Sequence, residues 1–434
     1  MKLIKILILI PFLLPKGAYG QSDTLTFQEV VAIALAGNFE IIMSKNQESI
    51  AKNNNTLGNA GFLPVITGTS EVNRASRDSR LQFFNGQLIE ADGAVSEALN
   101  AVVHLDWMVF DGFKMFATRR KLNDLEQLGG LELRFQIEQV VETLADVYYR
   151  LVQEEKLLAV YRNTSTLSAR QLEITRQALD LGGRSELEML NAAVARNTDS
   201  ARVLEQIMLI QNLKADINEL LGRNPETPFE VSRNMSWSKD LSYANLTQRM
   251  LDENVGMRAA RVRQSAAGQE IEEVRANMYP MIGVFADYAL NRQRNEVGIL
   301  ATSNTAGTNI GLSLRWNLFN GLNDRREVQN RKILFENARM ETERVSLESQ
   351  RALYQQFNAY TFAQTLYKLE SENFQTANRN LTVALRSYEL GVISDIDLRL
   401  IQLTELEAAS RRLRAEYLCK TAEIRLQRLC GALL

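Results

Sequence analysis

Few residues in this 434-residue chain are of a type that does chemistry. There is one histidine, His104, and there are two cysteines, Cys419 and Cys430. A His/Cys zinc site needs about four such ligands. On a helix, the gap between the two cysteines would put them roughly 16 Å apart, beyond disulfide reach. They read as small buried hydrophobes. The twelve methionines are scattered and read as packing residues. No glycine-rich nucleotide loop occurs, and no nucleophile stands beside a base. The sequence therefore predicts no cofactor, no metal site and no enzyme. With 50 Lys+Arg against 52 Asp+Glu, it also lacks the basic excess a nucleic-acid binder wants.

Acidic residues remain, and two clusters share one spacing. Ser185-Glu186-Leu187-Glu188 follows Gly182-Gly183, and Ser394-Asp395-Ile396-Asp397 follows Gly391. A serine with an acid three positions on is a capping box that starts a helix. A glycine just before it ends the preceding one. Capping is thus the first reading of Ser185 with Glu188 and of Ser394 with Asp397.

These clusters belong to a longer duplication, which must be read before any single element. LDWMVFDG at 105–112 answers LRWNLFNG at 314–321, LGGRSELEML at 181–190 answers LGVISDIDLR at 390–399, and LLG at 220–222 answers LCG at 429–431. These pairs keep one offset, while FLPVI at 62–66 and MYPMI at 278–282 are seven residues further apart. A change of length belongs in a loop. Each copy runs in the same order: helix, a proline (Pro64 or Pro280) at the entry to a β-hairpin, a long helix, a glycine break and a final helix. The predicted organisation is a segment 1–20 outside the fold, a first repeat over 21–222 with its hairpin at about 62–110, a linker over 223–242, and a second repeat over 243–434 with its hairpin at about 278–320. Heptads mark the long helices: Leu133, Ile137, Val140, Leu144, Val147 and Leu151, then Phe374, Ala377, Leu381, Ala384 and Tyr388. Residues 113–180 lack proline, with Gly129-Gly130 the one weak point. As a helix they would reach roughly 100 Å, so an elongated molecule is expected.

The first segment has Lys2 and Lys5, an apolar run over Ile6–Leu14, and Ala18-Tyr19-Gly20 before Gln21. That is the pattern of a secretory signal peptide. No later window holds the ~18 apolar residues of a membrane helix. The hairpins alternate with period two instead. Ile310, Leu312, Leu314, Trp316 and Leu318 share one face in copy two, and Val103, Leu105, Trp107 and Val109 share it in copy one. His104 lies on the opposite, polar face, as a lumen or interface residue. Four strands make a poor sandwich and leave edges open. Strands of about 9–11 residues fit a tilted membrane strand, with Ile310, Leu312, Leu314, Leu318, Val103, Leu105 and Val109 facing lipid and Trp107 and Trp316 in an interfacial girdle. Membrane strands must close into a barrel. Four per chain require several chains: two give eight strands, three give twelve. Loops are expected at about 74–97 and 291–306. The competing reading is a periplasmic coiled-coil scaffold or adaptor with a small soluble β-domain and no pore.

The duplicated plan, the Ala60–Pro64 and Ala276–Pro280 entries, the W-x-x-F-x-G turns and the L-G-x-x-S-x-x-[DE] breaks together resemble the TolC family of outer-membrane efflux proteins over 21–434. The resemblance implies a mainly α fold with a membrane β-barrel portion. Long coiled-coil helices would form a periplasmic tunnel, and two hairpins per protomer would build a twelve-stranded barrel in a homotrimer. It implies a passive duct in the outer membrane that meets a periplasmic adaptor (membrane fusion) protein and an inner-membrane pump, with adaptor contacts near 181–190 and 390–399. It also makes Asp397, with Glu188 and Asp395, candidates for a ring at the periplasmic aperture. Here the sequence departs from the familiar pattern, with Leu400 and Ile393 where a second aspartate and a basic residue are expected. Capping is therefore weighed ahead of gating.

Overall fold

The computed structural model describes residues 24–433; the signal-peptide segment 1–20 lies outside them. In chain order the elements are β1 (Thr24–Leu25), α1 (Phe27–Gly37), α2 (Phe39–Asn54), β2 (Val65–Gln82), β3 (Leu88–Phe110), α3 (Lys114–Asp180), α4 (Glu186–Leu220), β4 (Glu230–Val231), α5 (Tyr243–Glu253), α6 (Val255–Arg275), β5 (Met281–Asn295), β6 (Thr302–Arg315), α7 (Asn323–Glu389) and α8 (Asp395–Leu429). The duplication is plain in the helix lengths: α3 and α7 each have 67 residues, and α4 and α8 each have 35. Among the described residues no single helix is long and apolar enough to cross a membrane, though the bent pair α1–α2 has the length and composition.

Two units divide the described residues. One comprises residues up to Phe39, Val140–Lys239 and Ala359–Ile424. It contains the short parallel pair β1–β4 and the glycine-broken ends of the long helices. Val30, Ala34, Leu144, Tyr148, Leu151, Ile217 and Leu221 are buried there. Of the heptad positions, Val140, Leu144, Leu151, Ala377, Leu381, Ala384 and Tyr388 are buried, and Leu133, Ile137, Val147 and Phe374 are half-buried. Toward the glycine breaks the seam turns polar. On α3 the buried residues become Thr164, Ser168, Gln171 and Thr175, still at steps of four and three.

The other unit comprises Glu40–Gln139, Asp240–Asn358 and the residues from Arg425. It holds one four-stranded antiparallel sheet in the order β2-β3-β5-β6. Both hairpins therefore join one sheet, with β3 and β5 inside and β2 and β6 as edges. Gly129, expected as a weak point, does not interrupt α3. A side-chain carbon there would sit 3.0 Å from the Cβ of Ala51, so glycine lets α2 approach.

The strands differ from expectation in two ways. They run well past the apolar stretch, to 18 and 23 residues in copy one, so most of 74–97 and 291–306 is ladder rather than loop. Polar side chains do not stop a ladder whose backbone partners continue. In the other direction β6 ends at Arg315, which pairs with Met281, the first residue of β5. With no partner beyond it, the chain leaves the sheet, and Trp316 and Leu318 are exposed residues off the strand rather than members of it. In β3 the register shifts between Met108 and Phe110, which leaves Val109 in a bulge.

Candidate functional site

The sheet's two faces are chemically distinct. Register places Ile66 beside Leu105, Gly68 beside Val103, Ser70 beside Ala101 and Val72 beside Leu99. It continues with Ala286 and Tyr288 beside Leu105 and Val103, and with Ile310, Leu312 and Leu314 beside Ala286, Val284 and Ile282. All of these lie on one face. None of the described residues covers it: Ile310, Leu312 and Leu314 are 75, 76 and 70% exposed. The copy-one strand β2, apolar only at its ends, joins this face because its register is set by β3. On the opposite face His104 Nδ1 meets Asp287 Oδ1, and Asn309 donates to Asp287 Oδ2 at 3.3 Å. The one histidine thus sits in a polar cross-strand cluster.

Both hairpins are entered the same way. Trp107 Nε1 donates to the Phe62 carbonyl at 2.9 Å, and Trp316 Nε1 donates to the Met278 carbonyl at 3.2 Å. Each carbonyl lies two residues before its proline, Pro64 or Pro280. A proline supplies no N–H, so the chain turns there with one donor fewer, and the indole clamps the turn. The turns after the strands repeat as well. Gly112 and Phe113 have φ of 72° and 73°, and Gly321 and Leu322 have 69° and 63°. At Gly112 a Cβ would meet the Ala276 carbonyl oxygen at 2.4 Å.

At the other end of the long helices, two matching breaks occur. α3 stops with Gly182 N–H donating to Leu179 O at 2.9 Å and Gly183 N–H to Ala178 O at 2.8 Å. α7 stops with Gly391 N–H to Tyr388 O at 3.0 Å and Val392 N–H to Ser387 O at 2.9 Å. Both are Schellman endings, with glycine at φ +76° and +70°. The helices restart on their serines. Glu188 N–H donates to Ser185 Oγ at 3.3 Å while Ser185 N–H donates to Glu188 Oε2 at 2.8 Å. Asp397 N–H donates to Ser394 Oγ at 3.2 Å, and Ser394 Oγ donates back to Asp397 Oδ2 at 2.6 Å. The backbone N–H of Ser185 chiefly holds the Glu188 carboxyl below its ordinary pKa, with Arg184 adding to it. The Ser394 hydroxyl, then its backbone N–H, does the same for Asp397.

Asp395 is not beside them. It is 5% exposed, accepts from Gln171 Nε2 on α3, and burial raises its pKa. Two residues apart on a helix lie about 200° apart around its axis, so Asp395 faces the packed helices of this chain while Asp397 faces outward. Sequence reasoning missed the network that Asp395 introduces. Gln402 Nε2 donates to Gln171 Oε1 at 3.2 Å, and Thr175 bonds the Tyr388 hydroxyl at 3.0 Å. Arg399 clamps Asp199 with two bonds of 2.7 and 2.8 Å, and Ser168 donates to the same carboxylate. Burial alone would raise the pKa of Asp199, but the bonds from Arg399 and Ser168 overcome it and hold it low. A signal existed: Ala192, Asp199, Gln206, Leu213 and Ile217 keep a heptad spacing, with polar residues at seam positions.

Residues 246–432 match the model of the outer membrane efflux protein family. No match is found among curated proteins. Solved structures share the fold. CmeC, an outer-membrane channel of Campylobacter jejuni, matches with a TM-score of 0.79 at 13% identity, over 94% of this chain and 86% of that one. The outer-membrane protein VceC of Vibrio cholerae matches with 0.74 at 15% identity, over 93% and 96%. The open-state MtrE outer-membrane channel of Neisseria gonorrhoeae matches with 0.74 at 14% identity, over 94% and 89%.

Proposed function

We propose, for a chain that carries the sequence pattern of the outer membrane efflux proteins in its second repeat and shares their fold along its described length, that it is the outer-membrane exit channel of an export system. The observation that carries this reading is the sheet: one face is apolar and uncovered, and both edges are unpaired. A lipid surround accepts the face and forbids the edges. Three copies joined edge to edge give twelve strands, enough for a lumen, which the His104–Asp287–Asn309 face would line. Residues 1–20 act as the export signal, 21–222 and 243–434 are the two repeats, and 223–242 links them.

In this reading the duct is passive. A pump in the inner membrane supplies the energy, and a periplasmic adaptor docks on the tips at 181–190 and 390–399. Those tips expose Leu181, Leu187, Leu390 and Ile396 at matching repeat positions. Exposed apolar residues on a rigid turn suit a helical partner. Asp397 and Glu188 cap helices and, in a trimer, bring like charges near one axis. The cargo is a small molecule or a protein that passes without chemistry.

Single-channel conductance in a planar bilayer tests the proposal, wild type beside Asp397→Ala. Small currents that grow in the variant support the duct and the Asp397 constriction. Equal currents keep the duct and leave Asp397 as a cap. Folded protein that gives no current, and that washes from membranes in carbonate, is a scaffold instead.

A further inference from the structure

We infer that the outer rim of the apolar sheet face carries a binding site for the phosphate headgroup of an anionic lipid, formed by Arg74, Arg292 and Arg294. This rests on the membrane reading above. Where the apolar face ends, β2 and β5 place arginines, while β6 continues with Thr308, Ala306 and Asn304. On β2 the next residue of that face after Val72 is Arg74, and on β5 the residues after Tyr288 and Leu290 are Arg292 and Arg294. Register brings them together: Val72 pairs with Leu99, which pairs with Arg292, and Arg74 pairs with Glu97, which pairs with Arg294. The result is an open cleft of about 420 Å³ whose lining includes Val72, Leu99, Arg74, Arg292, Arg294 and Glu97.

Glu71 lies on the opposite side, and the Glu296 carboxylate is engaged by the Val95 backbone N–H at 2.8 Å. Within the cleft Glu97 is the only acid, and it lies 3.6 Å from Arg74 in an exposed pair. Such a pair contributes little and yields readily to a stronger anion. The guanidinium groups of Arg292 and Arg294 have no hydrogen-bond or ion-pair partner among the described residues, and both residues are exposed at the edge of an apolar surface.

Three guanidiniums and one carboxylate leave a net positive site beside alkyl-binding residues. A free anion would use only the charges, and a neutral lipid only the apolar floor. A lipid with a phosphate headgroup uses both. Two arginines on one strand face offer forked donors that suit a phosphomonoester, which presents three acceptor oxygens. Such a contact would also set how deep the face sits, since a basic residue near the surface of an anionic leaflet is attracted to it.

The test uses the full-length protein, purified in neutral detergent. Flotation with phosphatidylcholine vesicles first establishes insertion. Native mass spectrometry then counts retained phosphatidic acid against phosphatidylcholine. Wild type should retain phosphatidic acid with roughly tenfold preference. The Arg292→Gln/Arg294→Gln variant should lose that preference while it inserts normally, and Arg292→Lys/Arg294→Lys should keep part of it. Inorganic phosphate at matched concentration should not displace the lipid. An unchanged preference in the glutamine variant overturns the site, and so does displacement by phosphate alone. Failure of wild type to insert into neutral vesicles overturns the membrane reading instead, and this inference with it.

Discussion

At the scale of single residues, the chain repeats its joints more faithfully than its surfaces. Asn38 sits between α1 and α2, and Asn254 sits between α5 and α6. Asn38 Nδ2 donates to the Leu220 carbonyl at 2.8 Å, and Asn254 Nδ2 donates to the Leu429 carbonyl at 3.0 Å. Each amide thus closes a helix that ends some 180 residues away in sequence. The glycines of LLG and LCG explain the rest of that motif. Gly222 and Gly431 are left-handed, and a Cβ would lie 2.1 Å from the Gly37 carbonyl oxygen or 2.6 Å from that of Glu253. No side chain fits there. Gly431→Ala should lower stability by about 1–3 kcal/mol or more, read as an earlier denaturation midpoint. The neighbouring thiols answer to burial too. It pushes Cys419 up to about 12 and Cys430 up to about 11, aided at Cys419 by Glu416. Neither should react with a thiol reagent at neutral pH until the protein is denatured, and rapid labelling of the native protein would contradict this.

Elements show where the sequence was legible and where it was not. Helix existence, the glycine breaks and the period of the seams followed from spacing, because a coiled coil writes its contacts every three or four residues. The order of hairpins within one sheet did not follow, because pairing of β3 with β5 joins residues far apart in the chain. The caps at Ser185 and Ser394 could be read locally, whereas the burial of Asp395 depends on Gln171 across the seam. That difference gives opposite signs with pH. The pKa of Asp397 is depressed, so its capping contribution is present above the ordinary carboxylate range and is lost as pH falls through the depressed value. The pKa of Asp395 is raised, so its contribution is full below the ordinary value and is lost as pH rises through the raised one. Asp395→Asn should therefore raise the denaturation midpoint at neutral pH, and the gain should shrink on acidification. Thermal unfolding at several pH values checks this, and a loss of stability at neutral pH would refute it.

For the whole molecule, β2 and β6 are the decisive elements because each has one unpaired side. Among the described residues no other strand pairs with those edges. The proposed trimer does so by pairing β6 of one copy with β2 of the next, and light scattering in detergent should give the mass of three chains. A monomer that keeps its strands protected from hydrogen exchange would contradict it. Proline substitution at Ile310, on the edge strand, should reduce the trimer by removing a backbone donor and leave the isolated helices intact by circular dichroism.

The equality of α3 with α7, and of α4 with α8, has a consequence for how such a chain can change over generations. The two copies no longer share most of their letters, yet each long helix is held at both ends by a joint its counterpart also has. A residue inserted into one helix would rotate every later seam contact by about 100° and lengthen that helix alone. A heptad would restore the rotation but not the length. Length is thus a property that neither copy owns separately. Descendants of this gene should tolerate deletion and insertion in the hairpin tips, which already differ in length, while their long helices grow or shrink together, by whole heptads, or not at all.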